Sequence, residues 1–174
     1  MDLATFGPGD TVGKRDAAVQ HAITEHAKQE SGSVRQKLYA LEASLGDLPE
    51  VEFPLQHLFA PHVYVRTIFL PKNSVLVGKI HKHQHANILS QGTVMVLTEG
   101  GGTEYITGPK QMVSLAGTKR AVHAITDVVW TTIHPTESTD LAEIEDQVIA
   151  KSFAEYDQFI LEGKSEMKQL EVTA

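Results

Sequence analysis

His81, His83 and His85 stand at alternate positions within GKIHKHQHANILSQG (residues 78–92), three of the nine histidines of a chain that has no cysteine. Neutral imidazole binds divalent transition metals and takes up protons near neutral pH, so this spacing points to metal ligation or to a buried polar network. On a strand, alternate residues share a face, which groups the three histidines with Asn87 and Leu89. At about 3.3 Å per residue, imidazoles at i and i+2 reach one ion; those at i and i+4 start about 13 Å apart and do not, unless the strand bends. The expected half-site is therefore one adjacent pair, His81/His83 or His83/His85, and binding should depend most on His83, which both pairs share. Zinc, iron, manganese, nickel and copper all accept imidazole, so the expected cofactor is one divalent transition metal whose identity stays open. Binding should weaken below about pH 6, where imidazoles protonate. The competing reading is a polar strand face whose histidines are satisfied by neighbours or water.

A complete site needs ligands from elsewhere. His123 in KRAVHAITD is the first choice, which makes the candidate metal set His81, His83, His85 and His123. His134, beside Pro135 in WTTIHP, reads as a turn residue at a strand end, and Glu99, Glu104 and Asp127 are the available carboxylates. His21, His26, His57 and His62 read as surface or packing residues. Tyr64, Tyr105 and Arg66 are candidate substrate contacts, but no acid/base pair stands out and no catalytic residue is assigned. A helix through the motif would set His81 and His85 one turn apart. It is rejected because the flanking SVLV and ILSQGTVMVL are rich in β-branched residues and bounded by glycine.

The elements that must position these residues fall into three zones: a helical arm over 1–50, a β-region over 51–136 and a C-terminal helix and tail over 137–174. In the first, Ala17, Ala18, Val19, Ala22, Ile23 and Ala27 lie to one side of a helical pattern. Ser33 and Gln36 form a capping-box pattern opening a second helix through Leu38, Leu41 and Leu45 to Gly46. The second zone breaks into short runs such as HVYVRTIFL, VLVGKIHKH and VVWTTIH between Gly/Pro turns, the texture of a sandwich or small barrel. In the third, Thr139 is the expected cap, with Asp140, Glu143 and Glu145 in the first turns. Leu141, Ile144 and Val148 face inward, and Gly163 closes the helix. The apolar stripes are thin, so the helices are expected to lean on the barrel or on another subunit, as a homo-oligomer.

Bulk properties narrow the function classes. At 174 residues and 41% hydrophobic content the chain suits one domain with one core. A net charge of −7, with Lys and Arg scattered, argues against nucleic acid as partner. The absence of cysteine excludes disulfides and thiolate metal sites. No signal-like or membrane-length apolar run is present, so a soluble protein made in the cytoplasm is expected, with no membrane partner. No nucleotide cofactor is expected.

At this point the chain resembles the cupin superfamily, the RmlC-like jelly-roll barrels. HKHQHAN resembles the first cupin motif, with His81 and His83 as ligands and Asn87 where cupins usually carry Glu; Gly92 comes two residues early. SLAGTKRAVHAITD resembles the second, with Leu115 for Pro, Gly117 for Gly, and Arg120 at the usual histidine position, three residues before His123. The resemblance covers about half of the chain. It implies a mainly β fold, a cupin-like antiparallel β-barrel or jelly roll flanked by a helical N-terminal arm and a C-terminal helix. It also implies either a shifted site, His83/His85 with His123, or a barrel that has lost its chemistry. GKIHKHQHANILSQGTV and VVWTTIHPT further resemble small cupin-like proteins of tailed bacteriophages. Three functions follow. A structural or accessory protein of a virion, in contact with other virion proteins, ranks first. A metal-dependent dioxygenase, isomerase or lyase acting on a small polar substrate ranks second. A barrel that senses a small-molecule ligand without turnover ranks third.

Overall fold

The computed structural model describes residues 34–48, 52–98 and 102–163. Ten strands run from β1 (Leu55–Ala60) through β2 (Val63–Leu70), β3 (Val75–Val77), β4 (Ile80–His81), β5 (His85–Gln91), β6 (Thr93–Thr98), β7 (Gly102–Thr107), β8 (Lys110–Ser114) and β9 (Arg120–Ala124) to β10 (Val128–Pro135). Helix α1 (Val34–Gly46) precedes them; α2 (Leu141–Val148), strand β11 (Ile149–Ala150) and α3 (Phe153–Leu161) follow. One sheet has the order β1-β2-β10-β5-β8 and the other β3-β9-β6-β7, and all pairings are antiparallel. Leaving aside β4, which pairs only with β11, and the β1–β2 and β6–β7 hairpins, the chain passes from one of these two sheets to the other at each step. That is a jelly roll: the mainly β, two-sheet barrel with helices outside it that the sequence led us to expect.

Alternation along each strand aims one set of side chains inward. Leu70, Ile68, Arg66 and Tyr64 point inward from β2, facing Val128, Trp130, Thr132 and His134 of β10 in register. Leu89, Asn87 and His85 do so from β5, and Val122 and Arg120 from β9. Each strand thus carries aliphatic or indole groups toward one end and polar groups toward the other. The apolar ends, with Val94, Val96, Ile106 and Leu76, form the main core; the polar ends surround a cavity. Gly92 turns the chain between the sheets with φ of 93°, where a Cβ would lie 2.2 Å from the Asp127 carbonyl oxygen.

The helices cover the outside. Leu38, Leu41 and Leu45 of α1 pack on Val75, Val77 and Ala121, which face outward from β3 and β9. Lys119, 4% exposed, donates to Glu42 Oε1 at 2.8 Å and sits over the Tyr39 ring, locking α1 in place. Ile144 and Val148 of α2 pack on Tyr64, and Phe153 of α3 on Ile80. The described helices therefore pack Leu38, Leu41, Leu45, Ile144, Val148 and Phe153 on their own barrel, while Ile160 and Leu161 of α3 stay exposed. The capping residue Ser33 and the helical pattern before it lie outside the described residues.

The single C-terminal helix expected up to Gly163 is corrected to two helices with a strand between them. Asp140, rather than Thr139, is the cap, accepting from the amides of Ala142 and Glu143 at 2.9 Å. Ile149 and Ala150 leave the helix to pair with His81 and Ile80, and Ser152 caps a new helix by accepting from Glu155 N. Ladder pairing to an otherwise unpaired β4 outweighs continuation of the helix.

Candidate metal centre

The histidine motif does not form one strand. β4 ends at His81, residues 82–84 turn, and β5 begins at His85. The break is held from outside: Lys82 N donates to Val148 O and Lys82 Nζ to Asp146 O, both at 2.8 Å, while Gly117 N donates to His81 O at 2.9 Å. Because the chain bends here, the i and i+4 residues converge and the middle one turns away. The ring centroids of His81 and His85 are 4.0 Å apart. His83 instead meets the edge of the Phe159 ring on the outer surface, beside α3. The structure thus brings His81 and His85 together and does not place His83 in an adjacent pair with either.

The third imidazole of the cluster is His134, for which the sequence predicts a turn role. It lies at the end of β10 with its ring 4.7 Å from His85 and stacked 5.1 Å from His81. One nitrogen from each of His81, His85 and His134 lies within 4.8 Å of the other two. Its signal was in the sequence: Val128, Trp130, Thr132 and His134 alternate along one inward face. His123 is not part of the group. It sits with Ala121 on the face of β9 opposite Arg120 and Val122, opposite Met95 and Val75 in register.

These imidazoles are neutral at physiological pH. Burial pushes His85 down to about 4, with the His83 backbone hydrogen bond opposing and Arg120 adding to the effect, and pushes His134 down to about 3, with His85, Arg66 and His83 adding to it. Burial, then His85 and His134, hold His81 well below the usual imidazole range. Neutral nitrogen is the ligating form, so proton competition for a metal moves from near pH 6 toward pH 4. The Nδ1 of His81 is sealed from solvent and has no hydrogen-bond partner.

Asn87 lies beneath the cluster and does not present a free oxygen to it. Trp130 Nε1 donates to Asn87 Oδ1 at 2.9 Å, and Asn87 Nδ2 donates to Ser114 Oγ at 2.7 Å. The cavity above has a volume of about 140 Å³. Tyr64, Arg66, Arg120 and Glu145 line it, and Lys79 pairs with Glu145 at its rim. Burial works against ionisation of Glu145, but the hydrogen bond and charge of Lys79 hold its carboxyl below the usual range. Helix α2 closes one side of the cavity with Ile144 and Val148. Of the residues expected to contact substrate, Tyr64 and Arg66 are in place, whereas Tyr105 points outward from β7 and is 66% exposed. Glu104 pairs with Lys110 on the surface, Asp127 accepts from Lys72 N, and Glu99 lies outside the described residues. His57 lies behind Tyr64, its Nδ1 2.7 Å from Tyr64 Oη, and His62 pairs with Glu137 at the surface. His21 and His26 lie outside the described residues.

No protein-family model matches the chain, and no curated protein matches it. Among solved structures, the chain is similar to a cupin superfamily protein from Desulfitobacterium hafniense, at 12% identity and a TM-score of 0.43 over 53% of this chain and 85% of that one. It is also similar to the ectoine synthase of P. lautus, at 13% identity and a TM-score of 0.47 over 57% and 75% of the two chains. A third similar structure is an acetylacetone dioxygenase from Acinetobacter johnsonii, at 16% identity and a TM-score of 0.41 over 49% and 66%. Among the described residues, no helix is long and apolar enough to cross a membrane.

Proposed function

We propose that the chain is a metal-dependent, cupin-like enzyme acting on a small polar substrate, with one divalent transition metal held by His81, His85 and His134. The observation that carries this reading is the convergence of three neutral imidazoles from β4, β5 and β10, one of which, His81, also has a sealed Nδ1 without a hydrogen-bond partner. A polar network kept for packing would satisfy that atom, because a buried polar group without a partner is costly. A tetrahedral ion with Zn–N bonds of about 2.0–2.1 Å sets ligand nitrogens about 3.3 Å apart, which small ring rotations of this cluster reach. A bound ion would polarise a substrate oxygen or a water at its remaining open positions.

The chain's own groups support that chemistry. Burial raises the Tyr64 phenol above its usual value, so it stays protonated and can donate into the cavity. Its hydrogen bond to His57, which reaches solvent on β1, gives that proton a route for exchange. Glu145, kept ionised by Lys79, is the one carboxylate at the cavity among the described residues. A role within a virion, with homo-oligomeric and virion partners, rests on the wording of two motifs. It calls for a filled interior, and a cavity walled by ionisable groups favours the enzyme.

The test is calorimetric titration of zinc, manganese and nickel into wild type and five single alanine variants. His81→Ala, His85→Ala and His134→Ala should each weaken binding by at least about tenfold, and His83→Ala and His123→Ala should change it by less than about twofold. Equal affinity in all six proteins would end the reading.

A further inference from the structure

Two cationic side chains in the cavity have no ion-pair partner among the described residues. Arg66 projects from β2 of one sheet and Arg120 from β9 of the other, so they stand on opposite walls, and both line the space above the histidines. Among the described residues neither guanidinium has an ion pair or a hydrogen bond, and Arg66 Nε is sealed from solvent without a partner. The only other charged groups at the cavity among the described residues, Lys79 and Glu145, pair with each other, and Glu145 reaches Arg66 only as a longer-range charge without a direct contact. Arginine does not deprotonate in proteins, so both charges persist. An unpaired buried charge is strongly unfavourable, and this cavity keeps two.

We infer that the ligand of this cavity is a small dicarboxylic acid, one carboxylate held by Arg66 and the other by Arg120, beside the His81, His85 and His134 cluster. This rests on the reading of the cavity as a substrate site and names the substrate class. Guanidinium groups clasp carboxylates through two parallel N–H···O bonds, and their placement on opposite walls suits two separated anionic ends better than one compact anion. Ile68, Leu76, Val122 and Trp130 line the apolar floor between the walls, matching a short hydrocarbon link. The cavity, at about 140 Å³, is small, which favours a short link. Both arginines lie close enough to lower the proton affinity of His81, with Arg120 also acting on His85 and Arg66 on His134. The anion site and the imidazole cluster are thus contiguous.

The experiment titrates malonate and succinate into chelator-treated and zinc-loaded wild-type protein, with acetate, succinamide and inorganic phosphate as comparisons. The metal-free protein should bind a dicarboxylate at least about tenfold more tightly than acetate, succinamide or phosphate. Arg66→Gln and Arg120→Gln should each weaken that binding by at least about tenfold without lowering the thermal midpoint, since each removes an unpaired charge. Failure of both dicarboxylates to bind either form, or unchanged binding in both variants, overturns the inference. Phosphate binding as tight as that of the dicarboxylates overturns the ligand class. Zinc uptake without dicarboxylate binding sinks this inference alone. Dicarboxylate binding to protein that takes up no metal supports it and sinks the metal reading instead.

Discussion

Asn87 occupies the position where the cupin resemblance implies a metal-ligating glutamate, and its surroundings account for an amide there. It is 3% exposed and meets two partners: its Oδ1 accepts from the Trp130 indole N–H, and its Nδ2 donates to the Ser114 hydroxyl. An ionised carboxylate could accept from both, because the serine hydroxyl can rotate to donate, but it would bury a net charge that the neutral amide avoids. The amide therefore ties β5 to β8 and β10 beneath the cluster and leaves ligation to the imidazoles. Asn87→Ala leaves a buried indole N–H without an acceptor, which costs about 1–3 kcal/mol. Urea unfolding of Asn87→Ala, Trp130→Phe and the double variant should show this as coupling, the double variant losing less than the sum of the two singles. Strict additivity would mean that the bond contributes nothing to stability.

At the scale of elements, the centre depends on a short break in the barrel wall. His81 reaches His85 only because residues 82–84 turn, and that turn is braced by β11, by the end of α2 and by Gly117. Gly117 has φ of 71°, and a Cβ there would lie 2.5 Å from the Tyr156 ring of α3. The glycine of the second motif is thus required by backbone conformation and by a helix packed directly on it. Gly117→Ala should destabilise the protein by more than the roughly 1–2 kcal/mol of left-handed backbone alone. Combining it with Tyr156→Ala should recover the excess, so that in thermal melts Gly117→Ala costs less without the tyrosine ring than with it. An equal cost with and without the ring would show that the ring does not oppose the methyl group.

For the molecule as a whole, the buried imidazoles set a limit on acid stability. Their folded pKa values lie below the unfolded value of 6.5, at about 4 for His85 and about 3 for His134. Above pH 6.5 both states are neutral and the groups have no effect. As pH falls below 6.5 the unfolded chain takes up protons that the folded chain resists, so stability declines until the folded pKa is reached. Each such histidine contributes a slope of up to about 1.4 kcal/mol per pH unit. Glu145 and Glu155 have depressed carboxyl values, so their stabilising effect is present above about pH 4.5 and is lost below it. The interval between pH 6.5 and 4.5 therefore isolates the histidines. Urea midpoints of the metal-free protein should fall steadily across it and less steeply in His134→Gln. A flat profile there would contradict neutral burial of the cluster.

The sequence by itself determined the local pattern: β-branched runs between Gly/Pro turns, the helix through Leu38, Leu41 and Leu45, and a histidine-rich segment at 81–85. These were legible because periodicity and turn chemistry act over a few residues. Which imidazoles meet was decided only by tertiary structure. Equal alternation ranks His83 with its neighbours, but pairing of Ile149 with His81 bends the chain and turns His83 outward. His134 joins because β10 lies between β2 and β5, and Arg120 faces inward while His123 does not because of the register of β9. Convergence of this kind is set by pairings between segments far apart in the chain, and spacing along one strand does not encode it.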